Sequence, residues 1–279
     1  MSAASAAEPP QDGPLWYFAI GSMCNQTSIT ARDVHPIESK PAELLEYKIV
    51  FQGPNGMAGI EHSPGERGYH GVVHLLSTED MLKLDKIEIG YDRVEAKARL
   101  YDDSELTVTV YKYSTTKTSA FHGDDNPPSQ RYIEIIVEGC TKAKVSEGYI
   151  QWLKTIEREP RTSPENFRKL PDPPTSETMT KCVFDTCDGE DGRPFCSVLN
   201  GKVVEYKADS PMMQAFKNFP RGDIAFFIAR NIYDPKYGMP ATPDDMTPEH
   251  RESAENFWVD SLNKGGMLDH VKVIAMLQT

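Results

Sequence analysis

The stretch Leu15-Trp16-Tyr17-Phe18-Ala19-Ile20-Gly21-Ser22-Met23 predicts a first buried strand that ends in a tight turn. Large apolar residues precede the Gly21-Ser22 pair, and polar residues follow it. A strand that breaks into such a turn presents successive backbone N–H groups, which can hold an anion or a developing oxyanion. Taken alone, the stretch fits an ordinary core strand and turn equally well.

The composition is that of a globular protein. The chain has 279 residues, of which 39% are hydrophobic and 26% charged, enough for one large domain or one domain with an addition. Its net charge of −12 argues against non-specific binding to nucleic acid or anionic membranes, because both require a basic surface. Five cysteines, an odd number in a long chain, argue against a disulfide framework.

The N-terminal residues 1–14 are small and polar, without the basic and apolar regions of a signal peptide. They predict a disordered tail. No apolar run approaches the roughly 20 residues that span a bilayer. We therefore expect a cytoplasmic protein without a membrane segment.

Short alternating segments dominate the first half and predict about six strands with few helices between them. The clearest are residues 46–51, 57–61, 70–76, 93–100 and 106–113. This pattern favours an α+β fold of mainly antiparallel strands, closed into a small β-barrel with helices packed at one side.

A short helix is predicted after Ser77, which can cap its first turn, and should end near Gly90. Leu84 and Glu88 lie four residues apart on one face, which directs the Glu88 carboxylate towards the interior at the helix C-terminus. Burial and the helix dipole both disfavour the charged form there, so its pKa should rise towards the range useful for general acid–base catalysis. A solvated carboxylate at a helix end is the alternative.

The second half changes character after a proline-rich segment, residues 160–180. The Asn200-Gly201 pair predicts a hairpin within residues 195–206. Residues 224–228 and 271–277 are predicted strands, and a helix should begin at Thr247-Pro248. Residues 168–279 are thus expected to form an α+β extension of unknown role.

Metal binding is not expected. Cys182, Cys187 and Cys196 lack the paired spacing of common zinc sites. His70 and His74 share one face of a predicted strand, where core or surface positions are more common than ligation.

Four motifs in order resemble the γ-glutamylcyclotransferase family. They are residues 17–22, the Gly-Val-Val of residues 71–73, Leu84-Asp85-x-x-Glu88 and Pro127-Pro128-Ser129-x-x-Tyr132. The resemblance covers about residues 15–167, which implies a γ-glutamylcyclotransferase-like barrel domain there.

The resemblance implies a lyase in which the α-amine of a γ-glutamyl compound attacks its own γ-carbonyl, giving 5-oxoproline and a free amine or amino acid. It implies no cofactor, and glutathione metabolism is one setting. The implied catalytic residue is Glu88, as general base and then acid. The implied substrate-binding residues are Tyr17, Phe18, Ala19, Ile20, Gly21, Ser22, Tyr91 and Tyr132. The partner is a small γ-glutamyl molecule, and a homodimer is left open.

Two positions depart from many family members, which have Tyr in place of Ile20 and Asn in place of Met23. A more apolar site would result, and we infer that the leaving group is larger or less polar than a simple amino acid. Two alternatives stay open: a binding or scaffold protein on the same fold, and an acyl or amine transfer that does not close a lactam.

Overall fold

The computed structural model describes residues 13–53, 55–88, 90–114, 125–173, 177–208, 223–264, 266 and 268–278. The predicted disordered tail lies outside the described residues except for residues 13 and 14. The chain divides into two compact units. The first comprises residues 1–50, 58–119 and 138–153, and the second residues 51–57, 120–137 and 154–279.

The first unit is built on a closed five-stranded barrel. The described strands and α-helices up to residue 153 are β1 (Leu15–Ala19), α1 (Gln26–Ala31), β2 (Glu38–Leu44), β3 (Tyr47–Gln52), β4 (Met57–His62), β5 (Tyr69–Leu76), α2 (Thr78–Ile87), β6 (Tyr91–Leu100), β7 (Glu105–Tyr113), α3 (Gln130–Lys142) and α4 (Glu147–Leu153). The division between the units falls within β3, β4 and α3, and residues 130–137 of α3 belong to the second unit. The barrel order is β1-β5-β2-β6-β7, while β3 and β4 form a separate two-stranded sheet. The predicted barrel with flanking helices is confirmed.

The barrel is mainly antiparallel but closes through one parallel pairing, Tyr17 opposite Thr109. The first strand pairs with β5 along its whole length, Leu15 opposite Leu76 through Ala19 opposite Val72. Both strands are largely buried, which explains their nearly continuous apolar sequences. The turn after β1 is thereby fixed to the barrel wall.

The second unit contains a four-stranded sheet and two longer helices. Its elements are β8 (Thr178–Thr180), α5 (Lys181–Asp185), β9 (Phe195–Leu199), β10 (Lys202–Tyr206), α6 (Ile224–Ile232), α7 (Pro248–Lys264) and β11 (Val271–Gln278). The strand order is β8-β11-β10-β9. The predicted hairpin is present, and its turn residues Asn200 and Gly201 have φ of 52° and 80°, as a type I′ turn requires.

The strand predicted at residues 224–228 is wrong, because this segment begins helix α6. Asp223 caps that helix, its side chain accepting a hydrogen bond from the Ala225 amide at 2.9 Å. A short continuous apolar run does not distinguish a strand from a buried helix by its period, and here the cap favours the helix.

The part of the chain that the structure describes has no helix with both the length and the apolar composition needed to cross a membrane.

Candidate active site

Glu88 lies at the C-terminal end of α2. That helix begins as predicted, with the Ser77 hydroxyl accepting a hydrogen bond from the Asp80 amide at 3.1 Å. At the other end the Glu88 amide donates to the Leu84 carbonyl at 2.9 Å, and Leu84 itself is fully buried. The predicted pairing of these two residues on one helix face therefore holds.

Burial raises the pKa of Glu88 to about 7, and the positive charge of Arg32 lowers it in part. Part of the residue reaches solvent, but the pKa follows the surroundings of the carboxyl oxygens rather than the exposure of the whole residue. Near neutral pH this group therefore populates both its protonated and its charged form.

The turn after β1 starts at Gly21, whose φ of 55° is a conformation that glycine adopts without strain. Its amide donates a hydrogen bond to the Tyr69 hydroxyl at 3.0 Å. The Ser22 amide has no acceptor among the described residues. Of these two N–H groups, Ser22 is thus the one available to a ligand.

His74 holds this turn from the barrel wall. It is buried, and its Nε2–H donates to the Met23 carbonyl at 3.1 Å while its Nδ1 accepts from the Ser39 hydroxyl at 2.7 Å. Burial lowers the pKa of His74 to about 4. At neutral pH the ring is therefore uncharged, and its two partners fix the tautomer.

Tyr17 faces the same region as Glu88. Its hydroxyl is buried and its proton has no acceptor within the described ranges. Burial raises the pKa of Tyr17 well above its ordinary value, the charge of Glu88 raises it further, and the approach of the Ile20 backbone amide to the oxygen lowers it in part. Tyr17 thus keeps its proton and is a donor without an acceptor beside the candidate base. Phe18 and Ala19 are fully buried core residues, and Ile20 and Met23 are also buried.

Tyr91 and Tyr113 form a stacked pair, with ring centroids 4.8 Å apart and planes at 23°. The Tyr91 hydroxyl donates to the Ala58 carbonyl at 3.3 Å. Burial raises the pKa of Tyr113, Tyr91 lowers it through a hydrogen bond, and the charge of Glu88 raises it. Tyr113 therefore belongs to the surroundings of Glu88, although the sequence analysis did not select it.

The register of β6 and β7 identifies Tyr113. The two strands pair with Tyr91 opposite Tyr113, whereas counting outwards from a two-residue turn at residues 102–103 would give Ser114. A second feature supports this position. A Cβ on Gly59 would lie 2.1 Å from the Tyr113 ring, so the glycine leaves the space that the ring fills.

Tyr132 belongs to the second unit. It follows the predicted cap of α3, where the Tyr132 amide donates to the Ser129 hydroxyl at 3.2 Å. Its ring is nearly buried and meets Phe51 edge to face at a centroid distance of 6.4 Å. The structure thus groups Tyr17, Glu88 and Tyr91 with Tyr113 in the first unit, and describes Tyr132 in the second. Across the described ranges no cluster of three His, Cys, Asp or Glu side chains is arranged to hold a metal ion.

Residues 69–153 match the model of the AIG2-like family. This stretch of the chain is therefore similar to the AIG2-like family. It contains three of the four motifs on which the predicted resemblance rests, those at residues 71–73, 84–88 and 127–132, and the resemblance is confirmed over this range. No curated protein matches the chain.

Several solved structures are similar to part of this chain. An uncharacterized human protein is 26% identical over 54% of this chain and 92% of its own, with a TM-score of 0.47. A structure described as gamma-glutamyl cyclotransferase is 25% identical over 54% and 92% of the two chains, also with a TM-score of 0.47. A mouse AIG2-like protein is 14% identical over 39% and 82%, with a TM-score of 0.32.

The AIG2-like stretch contains Glu88, Tyr91, Tyr113 and Tyr132, while the turn at Gly21 precedes it and most of the second unit follows it. The candidate catalytic carboxylate thus lies within the matched range.

Proposed function

We propose that this protein is a γ-glutamylcyclotransferase-type lyase with Glu88 as its general base and acid. The single observation that carries the proposal is Glu88 itself, a carboxyl at the end of α2 whose pKa burial raises to about 7 beside Tyr17. A group that titrates near neutral pH suits both acceptance and return of a proton. The AIG2-like match supports the proposal because it includes this residue.

In the proposed reaction, Glu88 takes a proton from the α-ammonium group of the substrate and frees the amine. The amine nitrogen then bonds to the γ-carbonyl carbon, and the amide C–N bond breaks as Glu88 gives its proton to the leaving nitrogen. The attacking nitrogen, which still carries two protons, loses one of them to the freed Glu88 carboxylate, and this proton passes to solvent. Holding both reacting groups in one molecule and one geometry removes much of the entropic barrier. The products are 5-oxoproline and a free amine or amino acid.

The turn after β1 would stabilise the negative oxygen of the intermediate. The Ser22 amide makes no hydrogen bond within the described residues. One such donor lowers the activation barrier by roughly 3 kcal/mol. The unpartnered Tyr17 hydroxyl is a second donor for the substrate. Tyr91 would shape the pocket through Tyr113, and Tyr132 would bind the glutamyl group. The proposal also includes a cytoplasmic location, a role in glutathione metabolism and assembly as a homodimer.

The proposed test is product detection with the full chain. Mass spectrometry should detect 5-oxoproline from at least one member of a panel that includes γ-glutamyl dipeptides, γ-glutamyl amines and glutathione S-conjugates. A product without 5-oxoproline would indicate another acyl or amine transfer, and binding without turnover would indicate a non-catalytic protein. The buried Ile20 and Met23 favour the conjugates, so a preference for the smallest γ-glutamyl amino acids would refute the inferred larger leaving group.

A further inference from the structure

The second unit contains a cavity whose wall includes Tyr132, the proposed glutamyl-binding residue, but not Glu88. Its volume is about 110 Å³, and all residues that line it belong to this unit. A single water needs only roughly 10–15 Å³ of such space, so the cavity can hold a small organic molecule. Much of the wall comes from residues 159–264, beyond the AIG2-like stretch.

One face of helix α7 supplies part of the wall. Phe257, Asp260, Ser261 and Lys264 follow the i, i+3, i+4, i+7 spacing of a single helix face, and all four line the cavity. Another face of the same helix lies in the hydrophobic core through residues such as Trp258. The helix therefore directs charged and hydroxyl groups into a partly open cavity.

The charges along the wall balance. The cations are Arg131, Arg161 and Lys264, and the acids are Glu159, Asp234 and Asp260. This equality is notable in a chain with a net charge of −12. A ligand with a single charge would disturb the balance, whereas a ligand with one charge of each sign would not.

The cations and acids are already held in place by one another. Lys264 Nζ lies 2.6 Å from Glu159 Oε2 and 3.2 Å from Asp260 Oδ2. Arg161 donates to the buried Asp234 carboxylate at 2.7 Å. These contacts preorganise the polar groups, which lowers the entropic cost of ligand binding.

The buried Ser261 hydroxyl lacks a hydrogen bond in the described ranges. Its Oγ is buried and has no hydrogen-bond partner in the part of the chain that the structure describes. A buried hydroxyl without a partner costs free energy, which a ligand atom in the cavity would recover. The aromatic ring of Phe257, which also carries the Arg131 guanidinium at 5.3 Å, gives the cavity an apolar side.

We propose that this cavity binds a small zwitterion of the α-amino acid class. The ligand carboxylate pairs with Lys264 and the Ser261 hydroxyl, its ammonium group with Asp260, and its carbon atoms lie against Phe257. Glu88 is not among the residues that line this site, and the ligand binds there without being cyclised.

Calorimetric titration of the full chain tests the proposal. Glycine and L-alanine are the zwitterionic probes, and N-acetylglycine and glycinamide carry only one of the two charges. The zwitterions should bind measurably tighter than either singly charged probe. Lys264→Met should weaken their binding by roughly tenfold, the loss expected for one charge-assisted contact.

A matched control is available in the same unit. Lys181 forms an i,i+4 pair with Asp185 at 3.0 Å on an exposed surface, as Lys264 does with Asp260 in the cavity. Lys181→Met should bind the probes like the wild type. Equal loss in both variants, or equal binding of N-acetylglycine and glycine, would overturn the proposal, as would no binding by the wild type.

Two further variants guard against ambiguous results. Ser261→Ala removes an unpartnered hydroxyl, so it should keep the melting temperature and still bind the zwitterions more weakly; unchanged affinity contradicts the proposed contact. Glu88→Gln should retain zwitterion binding while losing any cyclisation. A loss of zwitterion binding in Glu88→Gln would contradict a site that does not include Glu88. A loss of cyclisation with unchanged binding would support the proposed site.

Discussion

At the scale of single residues, the candidate site depends on groups whose protonation the fold has changed. Burial raises the pKa of Glu88 so that both its forms are populated near neutral pH, while Tyr17 keeps its proton and His74 is uncharged. Each shift places a particular donor or acceptor at the end of β1 or α2 at neutral pH. Each also has a cost in folding free energy that depends on pH.

The raised pKa of Glu88 predicts a specific effect on stability. Between its ordinary value of 4.5 and about 7, the folded chain binds more protons than the unfolded chain, so stability falls as the pH rises through this window. Glu88→Gln removes this loss. The free energy of unfolding of the variant, relative to that of the wild type, should therefore be higher at pH 8 than at pH 4 by on the order of 1–3 kcal/mol. Urea unfolding of both proteins at both pH values measures this effect. A difference in unfolding free energy between variant and wild type that does not change with pH would contradict a buried carboxyl.

His74 predicts the opposite dependence. Its pKa falls from 6.5 to about 4 on folding, so the unfolded chain binds more protons in this window and stability is lost as the pH drops through it. His74→Gln keeps an amide donor for the Met23 carbonyl but cannot be protonated. Its loss of stability between pH 7 and pH 4.5 should be smaller than that of the wild type by on the order of 1–3 kcal/mol. Equal losses in urea unfolding would contradict a buried neutral ring.

At the scale of elements, helix α3 fixes the position of the turn that follows β1. Gly139 of α3 lies so close to Asn25 that a Cβ would come within 2.7 Å of the Asn25 backbone. The Asn25 amide group also donates to the Glu138 carboxylate at 2.9 Å. The helix and the start of α1 are thus joined by a close backbone approach and a hydrogen bond.

This contact predicts contrasting effects of two glycine substitutions. Gly139→Ala should destabilise the protein by about 1–3 kcal/mol, because the methyl group meets backbone that cannot move away freely. Gly148→Ala is the control, because among the described residues a Cβ added at Gly148 would meet only the Ser146 hydroxyl oxygen, at 3.8 Å. There alanine should be neutral or add up to about 1 kcal/mol through its helix propensity. Thermal unfolding compares the two; equal effects would contradict the close approach.

Local patterns identified most of these elements where turn chemistry and period agreed. The Ser77 cap and the Asn200-Gly201 turn each have a local physical cause, and both are present. The apolar run from Ile224 has no distinguishing period, and only the Asp223 cap explains why it is helical. Strand register was not within reach, because a two-residue turn at residues 102–103 would place Ser114 opposite Tyr91. The structure instead pairs Tyr91 with Tyr113, which lies among the groups around Glu88.

At the scale of the whole molecule, tertiary neighbours decide features that no local pattern contains. The polar face of α7 resembles a solvated helix surface in sequence, yet its residues line a cavity. The charge balance there depends on residues distant in the chain, such as Arg131 and Asp234. The Glu88 pKa was foreseeable in direction from the helix, but its size depends on burial by the rest of the first unit.

The predicted domain boundary at residue 167 remains a prediction, and truncation tests it. Within the second unit, Arg131 donates to the Ile232 carbonyl and Arg161 to Asp234, both beyond the boundary. A chain ending at Phe167 lacks these two acceptors, so its urea midpoint should fall below that of the full chain. A fragment as stable as the full chain would instead support residues 15–167 as an independent domain.

The rate of 5-oxoproline formation in a Glu88→Gln variant tests the central claim most directly. Glu79→Gln is the matched control, a change of an exposed glutamate in the same helix α2. We expect the control to form 5-oxoproline at the wild-type rate from the best substrate of the panel. Glu88→Gln should fold but lose at least the 10²–10⁴-fold typical of an acid–base group. Wild-type turnover by Glu88→Gln would contradict the account.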